Sequence, residues 1–153
     1  GSDIIHLVTG PLNSFDSLKR FEAAEEELKR FGKEYKIHYG NFDAASGKKI
    51  AEEIYLKIEK TPISIFSMND EMVLGMYEFF KKTELKIGKD VQIIGFDNAD
   101  FGQIISPTIA TISFSKKRWG MVAVEKLMQL LKNEKTTPGL IYTSFESGES
   151  FPN

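Results

Sequence analysis

Val91-Gln92-Ile93-Ile94-Gly95-Phe96-Asp97-Asn98 is the stretch on which the reading of this chain turns. It opens with apolar residues broken by a single Gln, as in a short strand buried on both faces of a parallel sheet. A glycine and an aromatic follow, then two polar side chains where the strand must end. A buried strand gains nothing from a carboxylate at its tip unless something there needs one. In an open α/β sheet, ligands sit outside the carboxyl ends of the strands, where strand order reverses. Asp97 is placed for that role.

Outward from this strand, strand-like and helix-like segments alternate. Residues 4–8, 35–39, 63–68, 109–112 and 140–145 read as strands. A first helix, capped by Ser14 or Asp16, carries Leu18, Phe21, Ala24 or Glu25, Leu28 and Phe31 at helical spacing and stops at Gly32. A second, capped by Asp43, buries Ile50, Ile54 and Ile58 and is broken at Thr61-Pro62. A third follows Asn69-Asp70, with Met72, Val73, Met76 and Phe80 inward. A fourth spans residues 116–132, with Trp119, Ala123, Leu127 and Leu130 on one stripe. This alternation predicts an α/β fold: a mostly parallel, doubly wound sheet with helices on both faces.

Composition bounds the function. At 153 residues, 41% hydrophobic and 27% charged, the chain suits one globular domain. A net charge of −2 gives no electrostatic reason to bind nucleic acid through this surface. There is no cysteine, so disulfides and thiolate chemistry are excluded. The two histidines, His6 and His38, lie far apart in strand-like runs and read as strand residues near the surface rather than metal ligands. No apolar run approaches a membrane span. Gly1-Ser2 reads as a cloning remnant, and a start almost directly on a strand suggests a shortened version of a longer protein.

Four phrases then occur in a telling order. They are Val8-Thr9-Gly10-Pro11 followed by Arg20; residues 66–75, Phe-Ser-Met-Asn-Asp-Glu-Met-Val-Leu-Gly; residues 90–98; and Pro107-Thr108-Ile109-Ala110-Thr111-Ile112 with Gly120. Over essentially its whole length the chain resembles the effector-sensing region of the lactose-repressor/galactose-repressor family of bacterial transcription regulators, a region similar to periplasmic sugar-binding proteins. The resemblance implies that residues 3–153 form the C-terminal lobe of a two-lobed sensor. It implies that the helix-turn-helix domain and most of the N-terminal lobe are missing, and that helix 116–132 belongs to the other lobe. That helix is expected to repack on its own lobe or on a neighbouring molecule, because an apolar stripe in water is costly. Two departures stand out. The family's frequent Thr-Thr-Ile is Ala110-Thr111-Ile112, a change that touches packing more than binding, and its C-terminal Arg-x-Ser is Gly148-Glu149-Ser150.

The resemblance also implies that Arg20, Asn69 and Asp97 hydrogen-bond a sugar or similar polar effector, with Phe42 supplying an aromatic face. The chemistry agrees. Arginine offers a fork of donors, a carboxylate offers acceptors, and asparagine offers both to a hydroxyl-rich ligand. Each residue has a plainer alternative: a solvated helix arginine, a helix cap for Asn69 (with Asp70 the more natural cap), a turn cap for Asp97 and a packing role for Phe42. The expected function is ligand sensing for a cytoplasmic repressor, with a homodimer implied, DNA bound only through the missing N-terminal domain, and no cofactor, metal or membrane. The alternative is a solute-binding protein serving a transporter or sensor kinase, which the phrase at 107–112 disfavours. No Ser/His/Asp set, phosphate-cradling glycine loop or paired catalytic carboxylates suggest an enzyme.

Overall fold

A computed structural model describes residues 4–152; the predicted Gly1-Ser2 remnant lies outside them. The elements run β1 (Ile4–Thr9), α1 (Phe15–Arg30), β2 (Glu34–Tyr39), α2 (Ala44–Tyr55), β3 (Ile63–Ser67), α3 (Asp70–Phe80), β4 (Val91–Phe96), a short 3₁₀ turn (Asp100–Gln103), β5 (Ala110–Phe114), α4 (Lys116–Leu131) and β6 (Thr143–Glu146). The strands form one six-stranded sheet in the order β2-β1-β3-β4-β5-β6. The first five are mutually parallel, and β6 returns antiparallel to β5. Strand order reverses between β1 and β3, so the switch point of this α/β sheet lies between their carboxyl ends.

The core lies between the sheet and the α2–α3 pair. Ile50, Ile54, Met72, Val73, Met76 and Phe80 are buried there against Val8, Ile65 and Ile93. Ile58 falls beyond the end of α2 and is only partly buried. The two helices meet backbone to backbone. A Cβ on Gly75 would lie 1.8 Å from the Ala44 carbonyl oxygen, and one on Gly47 would lie 2.0 Å from that of Met72.

α1 covers the opposite face more loosely. Ser14 caps it by accepting from the Ser17 amide, and Gly32, at φ 62°, ends it in a turn where the Lys33 amide donates to the Leu28 carbonyl. Only Ser17 is buried, while Leu18 and Phe31 are 45% and 64% exposed. The expected apolar stripe is thus only half used. A hollow of about 390 Å³, lined by Ile5, Leu7, Leu28, Phe66 and Ile94 among others, separates the helix from the sheet.

α4 departs further from expectation. None of its residues is buried, and Trp119, Leu127 and Leu130 are 58%, 54% and 60% exposed. Trp119 touches Phe114 edge-on, and the segment after the helix folds back near Val122. The helix does not repack on its own lobe. It follows β5 near the sheet edge, where the neighbouring strand β6 is itself largely exposed. No helix among the described residues is long and apolar enough to cross a membrane.

His6 and His38, distant in sequence, meet across the parallel β1–β2 pair, with Nδ1 of His6 2.9 Å from Nε2 of His38. No group of three or more potential ligands among the described residues is placed to hold a metal. Burial, then His38 and Lys36, push His6 down to about 4. Burial also lowers His38, against the charge of Glu53 on α2.

Two predictions follow from this packing. Gly75→Ala removes a helix-weakening glycine, a gain of about 1 kcal/mol in an open helix. It will nevertheless destabilise the protein by about 1–3 kcal/mol through overpacking against α2, and a urea titration showing unchanged or raised stability would refute the contact. Because the unfolded chain protonates His6 near 6.5 and the folded one near 4, stability is present above 6.5 and declines as pH falls between those values. His6→Gln should flatten that decline in pH-dependent unfolding; an unaltered slope would exclude His6 as its source.

Candidate functional site

The carboxyl ends of β1, β2, β3 and β4 carry the candidate residues, and local structure fixes each one. Arg20 projects from α1 toward the switch point. One guanidinium nitrogen donates to the Met68 carbonyl oxygen at 2.6 Å and the other lies 3.3 Å from the Asp97 carboxylate. The guanidinium carbon stands 4.0 Å from the centre of the Phe96 ring. Arg20 is therefore not a free solvated arginine. It is held by a backbone carbonyl, an aromatic face and a carboxylate drawn from two different strand ends.

Asp97 follows β4 in a tight turn. Its φ is 105° and that of Asn98 is 50°, both in the left-handed region that non-glycine residues seldom occupy. Phe42, just past β2, has φ 64°. Three of the four non-glycine residues with positive φ among the described residues thus sit at these strand ends. Backbone strain of this kind collects at sites that hold or position something.

Asn69 caps α3, its Oδ1 accepting from the Met72 amide at 3.0 Å. Its Nδ2 donates to the Phe42 carbonyl at 2.9 Å. The cap is Asn69 and not Asp70, and the residue is 8% exposed. What remains free on Asn69 is one N–H and one lone pair. The Phe42 ring lies against the tip of β1, where a Cβ on Gly10 would come within 2.2 Å of it. Phe42 thus has a packing role.

Arg20 and Asp97 are in direct contact, Asn69 joins them through the adjoining Met68 carbonyl, and Phe42 is tied to Asn69. The result is a shelf rather than an enclosed cavity: the side chains of Arg20 and Asp97 keep 23% and 34% of their surface. Burial holds the Asp97 carboxyl above the usual aspartate range, more than Arg20 and Lys116 lower it. With a single 3.3 Å contact to Arg20, the carboxylate has acceptor capacity to spare.

Sequence reading did not find two supports of the site. Phe96 was visible only as a strand aromatic, and Thr111 only as part of a packing motif. Their signal is register: Phe96 ends β4 and Thr111 lies near the start of β5, with Gly95 paired to Thr111 and Phe96 to Ile112. At the far end, Ser150 is fully buried, donates to the Ile93 carbonyl and accepts from the Ala110 amide. A Cβ at Gly148 would meet the Ala110 nitrogen at 2.3 Å, so no larger residue fits there without a shift.

The sheet order, the switch point and a polar shelf across it coincide with a known family, whose model, the periplasmic binding protein-like domain, matches residues 3–151. The chain belongs to the periplasmic-binding-protein-like family. Its curated relatives named here are repressors. The HTH-type transcriptional repressor PurR of Aliivibrio salmonicida is 32% identical over 137 residues, 88% of this chain and 41% of that protein. PurR of Vibrio parahaemolyticus is 33% identical over 115 residues, 75% of this chain and 34% of that protein. A sugar-binding transcriptional regulator of the LacI family from Enterococcus faecalis superposes with a TM-score of 0.93 at 42% identity, covering 100% of this chain and 57% of that one. The lac repressor dimer bound to operator and an anti-inducer shares the fold, with a TM-score of 0.90 at 23% identity over 99% of this chain and 53% of that one. The chain therefore spans about two-fifths of the length of the first of these curated repressors. The curated relatives named here are transcriptional repressors, not enzymes.

The double duty of Asn69 is open to test. Asn69→Ala should cost about 1 kcal/mol of stability through the lost cap, while Asn69→Ser keeps a capping oxygen and releases only the Phe42 carbonyl. Urea unfolding that finds the two variants equally stable would show that the cap carries no weight.

Proposed function

We propose that this lobe is one half of the effector clamp of a bacterial transcriptional repressor, and that it holds a small hydroxyl-rich molecule, sugar-like in chemistry. The observation that carries this reading is the Arg20–Asp97 pair spanning the ends of β3 and β4, beside the switch point. Arg20 supplies donors and Asp97 an under-used acceptor. Asn69 adds one free N–H, and Phe42 lies at the adjoining strand end, where its ring can meet the C–H side of a sugar. The Enterococcus faecalis regulator, described as sugar-binding, supports the ligand class.

The other half of the clamp would be the second lobe of a two-lobed sensor. The apolar stripe of α4, exposed on this chain, is consistent with a helix that packs on that lobe in the longer protein. Effector binding across the cleft would favour one arrangement of the lobes over another. That differential affinity is what controls operator binding by paired N-terminal helix-turn-helix domains in a homodimer. A regulator of this kind works in the cytoplasm. This lobe alone should bind effector weakly and DNA not at all, since half of the contacts are absent. The same fold serves solute-binding proteins of transporters and sensor kinases, but the repressor relatives favour the regulator.

A thermal-shift screen of the full-length protein against sugars, sugar phosphates and nucleosides tests the proposal. A stabilising hit should lose at least about tenfold in affinity, roughly 1.4 kcal/mol, with either Arg20→Ala or Asp97→Ala. Binding should also weaken as acidification protonates Asp97, at a pH above that of an ordinary aspartate. A hit indifferent to both substitutions would remove the shelf from the ligand site.

A further inference from the structure

Asp70 has no part in the shelf itself, yet it is the most deeply buried charged side chain beside it. It lies in the first turn of α3 and is 1% exposed. An aspartate at that position is ordinarily a helix cap or a partner of the helix N-terminus. Here Asn69 already caps the Met72 amide, and the Asp70 carboxylate is directed off the helix. One oxygen accepts from the Ala99 amide at 2.8 Å and the other from the Thr111 hydroxyl at 2.8 Å. The carboxylate is pressed so closely on β4 that a Cβ on Gly95 would lie 2.0 Å from it. The Thr111 oxygen also stands 3.4 Å from the Asn98 amide.

These contacts enclose one turn. Residue 99 is held directly and residue 98 through Thr111, while Asp97 and Asn98 adopt left-handed φ values of 105° and 50°. A turn of two consecutive non-glycine residues in that region persists only where its surroundings impose it. Burying a carboxylate is costly unless several donors meet it, and here the donors come from this turn and the strand beside it.

We propose that Asp70 is a positioning residue of the effector shelf: with Thr111 as relay, its carboxylate fixes the 96–99 turn so that the Asp97 carboxylate meets the Arg20 guanidinium. The purpose assigned to that geometry rests on the effector-clamp reading, but the geometry can be tested without any ligand.

The readout is the pKa of Asp97, followed by carboxyl ¹³C NMR titration of the whole chain. In the parent, Arg20→Gln should raise it, because a neighbouring cation is removed. In the Asp70→Ala and Thr111→Val backgrounds that upward shift should be lost, since Asp97 no longer faces Arg20. In the Thr111→Ser background, which keeps the hydroxyl and loses the methyl group, the shift should persist. A purely packing role for Thr111 predicts the reverse order, with valine tolerated and serine not. Should Asp70→Ala fail to fold, the Thr111 pair still decides. An equal shift in every background, or one lost with serine and kept with valine, overturns the proposal. Because no ligand enters, loss of the shift alongside a fruitless effector screen would leave Asp70 as positioning residue and sink only the clamp reading.

Discussion

A parallel sheet ends its strands along one edge, and there the backbone groups run out of ladder partners. Much of what surrounds the candidate site answers that constraint. Arg20 takes the Met68 carbonyl, Asn69 takes the Phe42 carbonyl and the Met72 amide, and Asp70 takes the Ala99 amide. Polar side chains gather at these tips first because the chain ends there would otherwise be left unsatisfied. Their remaining capacity is what a ligand would meet. Being held and being presented are thus compatible for Asn69 and Arg20: the hydrogen bonds that hold each side chain also fix where its free groups point.

The electrostatics of the shelf follow from its half-open state. Exposed enough for water to screen it, the Arg20–Asp97 pair contributes little to stability. Burial still outweighs Arg20 in setting the Asp97 carboxyl above its ordinary range. A carboxylate that is partly desolvated and has one long contact gains from further donors, whereas one already saturated would not. The left-handed turn that presents it is therefore of more consequence than the ion pair itself. That turn draws on the tolerance of Asp97 and Asn98 for positive φ and on the buried carboxylate beneath it.

The helices divide by how closely they meet the sheet. α2 and α3 pack through glycines at backbone contact and enclose the core. α1 stands over a hollow, and α4 leaves its apolar face in solvent. All of these helices were legible from spacing, since apolar residues at helical intervals need only local periodicity. Whether a stripe is buried depends on a second surface, and spacing carries no information about that surface. Leu18, Phe31 and Leu127 belong to stripes as regular as that of Met72 and Met76, yet they are exposed. The same limit applied to the histidines, where parallel pairing of β1 and β2 joined residues 32 positions apart.

At the site, Asp97 could be named from residue type and place in the chain, because a carboxylate at the tip of an apolar run is conspicuous in one dimension, whereas Arg20, Asn69 and Phe42 were named through the family resemblance of the phrases around them. The sequence by itself also determined the alternation of elements and the parallel core strands, since these rest on local composition. Tertiary structure alone decided that Asn69 and not Asp70 is the cap, that Arg20 reaches Met68 and Asp97, and that Asp70 and Thr111 grip the turn between them. The side-chain contacts of Arg20 and Asp70 join residues from 29 to 77 positions apart. Their partners are set by strand order and register, which the folded sheet settles as a whole.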